Sequence, residues 1–182
     1  MPSAFSHAIV GAAVWACLPR RQRSWRLLAA CAVVPALPDI DGAGFFLGVP
    51  YASFWGHRGF VHSLFFGLIA GGALGLAWRK LKILSEPVWL APLLFPVLWA
   101  SHGLLDMATS GGLGVAIFAP FDNSRHFFAH TPIRVSPMSP KAFFGQRGIV
   151  VMTSEILWVW VPSLAVAGLI RIGQGIGLRS RD

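Results

Sequence analysis

Seven histidine and aspartate side chains lie in or beside four apolar stretches of the sequence. Imidazole nitrogens and carboxylate oxygens together are ligands that suit zinc, manganese or iron. Only seven acidic side chains occur in the 182 residues, and three of them belong to this set. The set consists of His7, Asp39, Asp41, His57, His62, His102 and Asp106. These residue types predict a transition-metal centre.

The spacing within the set indicates how it is positioned. His102 and Asp106 are four residues apart, so on a helix they share one face and can point at one ion. In PDID (38–41) we expect a helix stop followed by an extended turn, in which both carboxylates point the same way. His57 and His62 are five apart, too far for adjacent helical turns, so His57 is expected to precede the helix and fold back.

The number of groups exceeds the four ligands of one tetrahedral site. We therefore expect either two ions or one ion with a catalytic His/Asp pair. Zinc is the first candidate, with manganese and iron as alternatives. The expected ligands are His7, Asp39, His62, His102 and Asp106. The expected catalytic base or supporting partners of the ligands are Asp41 and His57.

Two further charged residues are candidates for the site. Arg58 lies between two of the histidines, and its guanidinium fork suits an anionic substrate group such as phosphate. An ion pair with Asp39 or Asp41 is the structural alternative for Arg58. Glu155 lies roughly 9 Å into the last apolar stretch at 1.5 Å per residue, so it should face the interior. It is either an accessory ligand or base, or a hydrogen-bonded structural carboxylate.

The composition identifies a membrane protein. The chain is 55% hydrophobic and 12% charged, whereas soluble domains carry about 25% charged residues. The apolar segments are 5–18, 24–38, 60–78, 88–108 and 149–171. A full span needs about 20 residues, so the last three qualify and the first two are short. We expect one all-α domain over 1–182, a polytopic bundle of about five apolar helices, with 109–147 as a re-entrant or interfacial segment covering the outer face.

The basic residues predict the orientation in the membrane. When five segments alternate, ten of the 15 Lys and Arg residues fall on one side. These are Arg20, Arg21, Arg23, Arg26, Arg79, Lys80, Lys82, Arg171, Arg179 and Arg181. Positive-inside bias then places the N-terminus outside and the C-terminus in the cytoplasm, with the His/Asp set at the outer face. Because the clusters lie in short turns without a binding module, we expect no direct contact with nucleic acid.

Several motifs resemble a known family. SHAIVG, PDIDG, HRGFVHS and HGLLDMAT followed by GVAIFAPF, between residues 5 and 122, are similar to the YdjM-like family of predicted inner-membrane, metal-dependent hydrolases. That family is also described as LexA-binding. The resemblance implies a multi-pass protein of the bacterial inner membrane with a hydrolytic metal centre, and a cytoplasmic regulator as a partner. The pattern is more loosely similar to the sites of all-helical zinc phospholipases C, but no late Glu lies in a matching motif.

Three functions remain open from the sequence. The first is a membrane hydrolase that uses a metal-activated water on a phosphoester of a lipid or lipid-linked substrate, with an amide or ester as the alternative bond. The second is a transporter or proton relay that uses the same His/Asp cluster. The third is a non-catalytic membrane scaffold for a cytoplasmic regulator. A scaffold does not need seven ionisable groups on the opposite face, which argues against the third as the main function.

The topology makes a prediction of its own. Residues near 80 should be cytoplasmic and residues near 125 should not, because positive charge is retained inside. Single cysteines introduced at each position are labelled from outside spheroplasts with an impermeant reagent. Labelling near 125 alone is expected. Labelling near 80 alone would invert the orientation.

Overall fold

The structure, a computed structural model, describes residues 1–81, 90–137 and 139–179. The α-helices are α1 (Ala4–Cys17), α2 (Trp25–Val33), α3 (Leu64–Lys80), α4 (Ala91–Met107), α5 (Pro140–Phe143), α6 (Gln146–Glu155) and α7 (Val161–Arg179). The 3₁₀-helical segments are Arg20–Gln22, Val34–Leu47 and Phe60–His62, and Ile156–Trp160 forms a π-helical turn. Within the described residues the only β pairing is two isolated bridges. The all-α class is confirmed.

The second apolar segment is longer than predicted. After α2 ends at Val33, the chain continues as a 3₁₀ helix over Val34–Leu47 and ends at Gly48, whose φ of 74° is one that glycine adopts without strain. The expected helix stop and extended turn at PDID are therefore wrong. A 3₁₀ helix has three residues per turn, so Asp39 and Asp41 leave its axis about 120° apart instead of pointing the same way.

Within the part of the chain that the structure describes, two continuous helices are long and apolar enough to cross a membrane, Trp25–Leu47 and Gln146–Ile176. The predicted spans 60–78 and 88–108 correspond to α3 and α4, which have 17 residues each. Each is about 25 Å long, less than the roughly 30 Å of a hydrocarbon core. A five-span bundle is therefore not confirmed. Lys82, Arg181 and residues 88 and 89 lie outside the described residues.

Helix α3 starts later than predicted because the site uses the residues before it. Residues 60–62 form the 3₁₀ turn that carries His62, and α3 begins only after Ser63. The Ser63 hydroxyl accepts a hydrogen bond from Phe66 N at 3.0 Å, which caps the helix.

Helices α3 and α4 pack through a stripe of glycines. Gly67, Gly71 and Gly75 recur every four residues on the buried face of α3. A Cβ at Gly71 would lie 2.6 Å from the Pro96 nitrogen, and one at Gly75 would lie 2.4 Å from the Ala91 oxygen. The two backbones can approach this closely only because the stripe lacks side chains.

Residues 108–137 cover the end of the bundle where α3 begins and α4 ends. Ala116 N donates to Arg58 O and Leu64 N donates to Ile117 O, both at 3.0 Å. The Arg125 guanidinium donates to the carbonyl oxygens of His57 at 3.0 Å and Tyr51 at 2.8 Å. The covering segment is shorter than the predicted 109–147, since α5 and α6 begin at residues 140 and 146.

The glycine stripe gives a matched pair of stability variants. Gly71→Ala should destabilise the protein by about 1–3 kcal/mol, the usual cost of overpacking, because the new methyl group meets the α4 backbone. Gly72→Ala should be neutral or stabilising, since a Cβ there has nothing within 4 Å. Thermal unfolding in detergent measures both variants. Equal midpoints would contradict the packing.

Candidate metal centre

Four buried side chains converge from four parts of the chain. They are Asp39, His62, His102 and Asp106, and one ligand atom from each lies within 4.8 Å of the others. His102 Nε2 lies 3.3 Å from Asp39 Oδ1 and 3.7 Å from Asp106 Oδ2. His62 Nε2 lies 3.7 Å from both oxygens. Tetrahedral ligands about 2.0–2.2 Å from zinc are separated from one another by roughly 3.3–3.6 Å, so these distances suit an ion between the four groups.

The atoms that face one another in this group have no hydrogen-bond partner among the described residues. They are Nε2 of His62, Nε2 of His102, Oδ1 of Asp39 and Oδ2 of Asp106. The side chains of His62, His102 and Asp106 are 0% exposed and that of Asp39 is 14% exposed. Buried polar atoms are nearly always hydrogen-bonded, and the exceptions here all point into one space. The group can hold a metal ion.

A backbone carbonyl fixes the orientation of His102. Its Nδ1 lies 2.7 Å from the Pro35 oxygen, and because a carbonyl only accepts, Nδ1 is the donor. In a 3₁₀ helix the Pro35 oxygen would accept from the N–H of residue 38, which is a proline and has none. The carbonyl is thereby free for His102, and with Nδ1 bonded to it the ring turns Nε2 towards the other three groups.

Asp41 supports the cluster from the other side of His62. Its Oδ2 lies 3.0 Å from His62 Nδ1, while His62 Nε2 faces the cluster. Its Oδ1 accepts a hydrogen bond from His57 Nδ1 at 2.6 Å. A carboxylate behind a ligating histidine is the common way to orient such a ring. Asp41, His57 and His62 also form a second group that could hold an ion.

Arg58 has a different environment from the one predicted. Its Nε lies 3.0 Å from Asp106 Oδ2, and its two terminal nitrogens donate to Gly111 O at 2.7 Å and Thr109 Oγ1 at 2.9 Å. The ion pair is thus with Asp106 and not with Asp39 or Asp41. The side chain is 1% exposed, and its φ of 61° is uncommon for a non-glycine residue. All three guanidinium nitrogens contact groups inside the protein, so Arg58 orients Asp106. Its guanidinium is not exposed for the predicted contact with substrate.

His7 lies beside the four-residue group. Its ring stacks on His102 with centroids 3.9 Å apart and planes 19° apart, and its Nε2 lies 4.0 Å from Asp106 Oδ1. Neither ring nitrogen has a hydrogen-bond partner among the described residues. The structure therefore gathers four of the five predicted ligands into one group and places His7 next to it. The ligand roles themselves stay predictions.

Glu155 and the acidic and histidine residues of the covering segment lie apart from both groups. Glu155 accepts hydrogen bonds from Ser3 and Ser6, which matches its structural alternative. Asp122 and His126 are partly exposed and 3.7 Å apart. Hydrogen bonds from Ser124 hold the pKa of Asp122 below its ordinary value. These loop residues are not arranged around a shared space.

Sequence reasoning did not identify several supporting groups. They are the Pro35 carbonyl, the Thr109 hydroxyl, Ser3, Ser6 and Gly103. A Cβ at Gly103 would lie 2.6 Å from the His62 oxygen, so the glycine after His102 lets α4 approach the His62 turn. Two sequence patterns could have indicated two of these groups. The three-residue spacing of the prolines in PALP (35–38) points to the Pro35 carbonyl, and the small residue directly after His102 points to Gly103.

Comparison with known proteins supports a membrane location for this chain. The sequence profile of the YdjM inner membrane protein family matches residues 1–176. The chain belongs to this family. It is also 33% identical over 173 residues to the inner membrane protein YbcI of Escherichia coli (strain K12), an alignment that covers 93% of this chain and 97% of that protein. No solved structure matches. Family membership and the two long apolar helices support a location in the inner membrane.

The geometry predicts metal content directly. The purified wild-type protein should carry stoichiometric transition metal, and His102→Ala or Asp106→Ala should lose most of it because each removes an inward-facing ligand atom. Elemental analysis by mass spectrometry measures the metal-to-protein ratio. His126→Ala and Asp122→Ala are the matched controls and should retain the wild-type ratio. Equal metal in all five proteins, or none in any, would remove the metal centre.

Proposed function

We propose that this YdjM-family protein is an integral-membrane, metal-dependent hydrolase. The observation that carries the proposal is the set of buried, mutually facing atoms of Asp39, His62, His102 and Asp106 without hydrogen-bond partners. Holding such groups together is costly unless a cation satisfies them. A bound divalent ion supplies a Lewis acid that polarises the scissile group and lowers the pKa of water.

The chain's own residues position this chemistry. The Pro35 carbonyl and Asp41 orient the two cluster histidines from behind. Arg58 holds Asp106 in place. His57, hydrogen-bonded to Asp41 at the edge of the cluster, is the candidate to accept a proton from, or return it to, the reacting group.

One ion with a supporting His/Asp pair is the arrangement we favour over two ions. The second group shares His62 with the first, and one oxygen of Asp41 already accepts the short hydrogen bond from His57. Four ligands complete a tetrahedral structural site, whereas a catalytic site usually keeps one position for water or substrate. The 14% exposure of Asp39 is consistent with an opening on its side of the cluster. Zinc is the first candidate, and manganese or iron would suit the same ligands.

The substrate we propose is a phosphoester in a lipid or lipid-linked molecule. The helix that carries Asp39 is one of the two candidate spans, and its outer surface exposes Ile40 at 66% and Phe46 at 93%. The accessible side of the cluster therefore borders a surface that suits lipid chains. A multi-pass topology with the N-terminus outside and the C-terminus in the cytoplasm would put this surface in the outer leaflet.

A proton relay or transporter is the second candidate function. The continuous row of His57, Asp41 and His62 favours it, because such rows of ionisable groups conduct protons in membrane proteins. The two functions differ in their products, since a relay moves ions without breaking a covalent bond.

The hydrolase makes a testable prediction. The wild-type protein should release phosphate or a phosphorylated head group from at least one member of a panel of bacterial lipids in mixed micelles. A chelator should abolish release. His57→Ala should lower turnover about 100-fold or more while retaining metal, because a general acid or base contributes roughly 10²- to 10⁴-fold.

The control for that assay is His130→Ala, which changes a loop histidine that contacts Trp158 and should leave turnover unchanged. Chelator-insensitive release would contradict a metal-dependent reaction. Proton flux in proteoliposomes without any release of product would favour the relay instead.

A further inference from the structure

Among the described residues, Glu155 is the one buried carboxylate that belongs to neither group of facing atoms, and both of its oxygens accept hydrogen bonds. It is 0% exposed. One oxygen accepts from Ser3 N at 2.6 Å, and the other accepts from the hydroxyls of Ser3 and Ser6, both at 2.5 Å. Trp160, one π-helical turn further along, donates its indole N–H to the Ser6 oxygen at 2.8 Å. Together these bonds join the first turn of α1 to the end of α6.

The serine at the start of α1 serves this contact and not its own helix. Ser3 is the N-cap residue of α1, yet its side chain makes no capping hydrogen bond. Serine at this position ordinarily accepts from a backbone N–H of the first turn. Here the hydroxyl donates to Glu155. The start of α1 is therefore fixed from outside, by α6.

The position of the His7 ring depends on where the first turn of α1 is held. It follows Ser6 directly, and neither of its ring nitrogens has a hydrogen-bond partner among the described residues. The position of its ring is set by stacking on His102 and by where the first turn of α1 lies. A shift of that turn would move His7 relative to Asp106 Oδ1, which lies 4.0 Å from His7 Nε2.

We propose that Glu155 is a positioning residue of the metal centre, which acts by anchoring Ser3 and Ser6 and thereby holding His7 against His102 and Asp106. The proposal rests on the proposed metal centre. It assigns Glu155 neither to the ligands nor to catalysis, because no ligand atom of Glu155 belongs to either group of facing atoms.

The test is a double-mutant cycle on cobalt binding, followed by the visible absorption of cobalt added to metal-free protein. Glu155→Ala should weaken cobalt binding about 10-fold, in the range found for residues that support metal ligands. Glu155→Gln should weaken it less, because its amide oxygen can still accept from Ser3 N. In a His7→Ala background, Glu155→Ala should have no further effect, since the residue through which it acts is gone.

Thr153→Ala is the control, because Thr153 is exposed on the same helix and bonds only to the Ile149 carbonyl. If Glu155→Ala does not fold, Ser6→Ala carries the same test, with the same required dependence on His7. An undiminished loss in the His7→Ala background would overturn the positioning role. Failure of the wild-type protein to bind cobalt would instead overturn the metal centre, so the two failures are distinguishable.

Discussion

The burial of two carboxylates against imidazoles at one end of an apolar helical bundle is the constraint on which the rest of the site depends. Asp39 and Asp106 face His62 and His102 with no hydrogen bonds of their own among the described residues. Leaving a buried charge without a partner costs several kcal/mol. Arg58 supplies one counter-charge, at 3.0 Å from Asp106. Arg58 is buried and has a left-handed backbone conformation, and this strain is the energetic cost of placing a cation at that point.

The 3₁₀ helix after α2 makes the arrangement geometrically possible. Its three-residue period sends Asp39 towards His102 and Asp41 towards the far side of His62, so one short motif supplies both a facing carboxylate and a supporting one. The same period pairs Pro35 with Pro38 and leaves a carbonyl free for His102. An α-helix would place residues 39 and 41 about 160° apart and would pair the carbonyl with residue 39. The backbone type, and not only the residue types, thus determines the site.

The sequence predicted the helical class and the convergence of the polar residues. How accurately each residue could be placed depended on how its position is determined. His102 and Asp106 were predictable because helical spacing fixes their relative direction. Asp39 and Asp41 were placed near the site but with the wrong backbone, since a proline after an apolar run predicts a stop and long 3₁₀ helices are uncommon. Arg58 was assigned to substrate because no sequence pattern links it to Asp106, 48 positions later in the numbering. Its other two partners, Gly111 and Thr109, belong to the covering segment, whose path has no periodicity.

A comparison within the same chain separates structural from functional carboxylates. Glu155 and Asp106 are both fully buried and both lie near the start of α1. Glu155 receives three hydrogen bonds from two serines, which shows that this fold can satisfy a buried carboxylate with short polar side chains. Around Asp39 and Asp106 it instead places imidazoles at 3.3–3.7 Å, where they make no hydrogen bond. A bundle that needed those groups only for packing could have satisfied them as it does Glu155. Apart from the ion pair of Asp106 with Arg58, these carboxylates have no hydrogen-bond partner among the described residues, which is better explained by a cation that they bind than by stability.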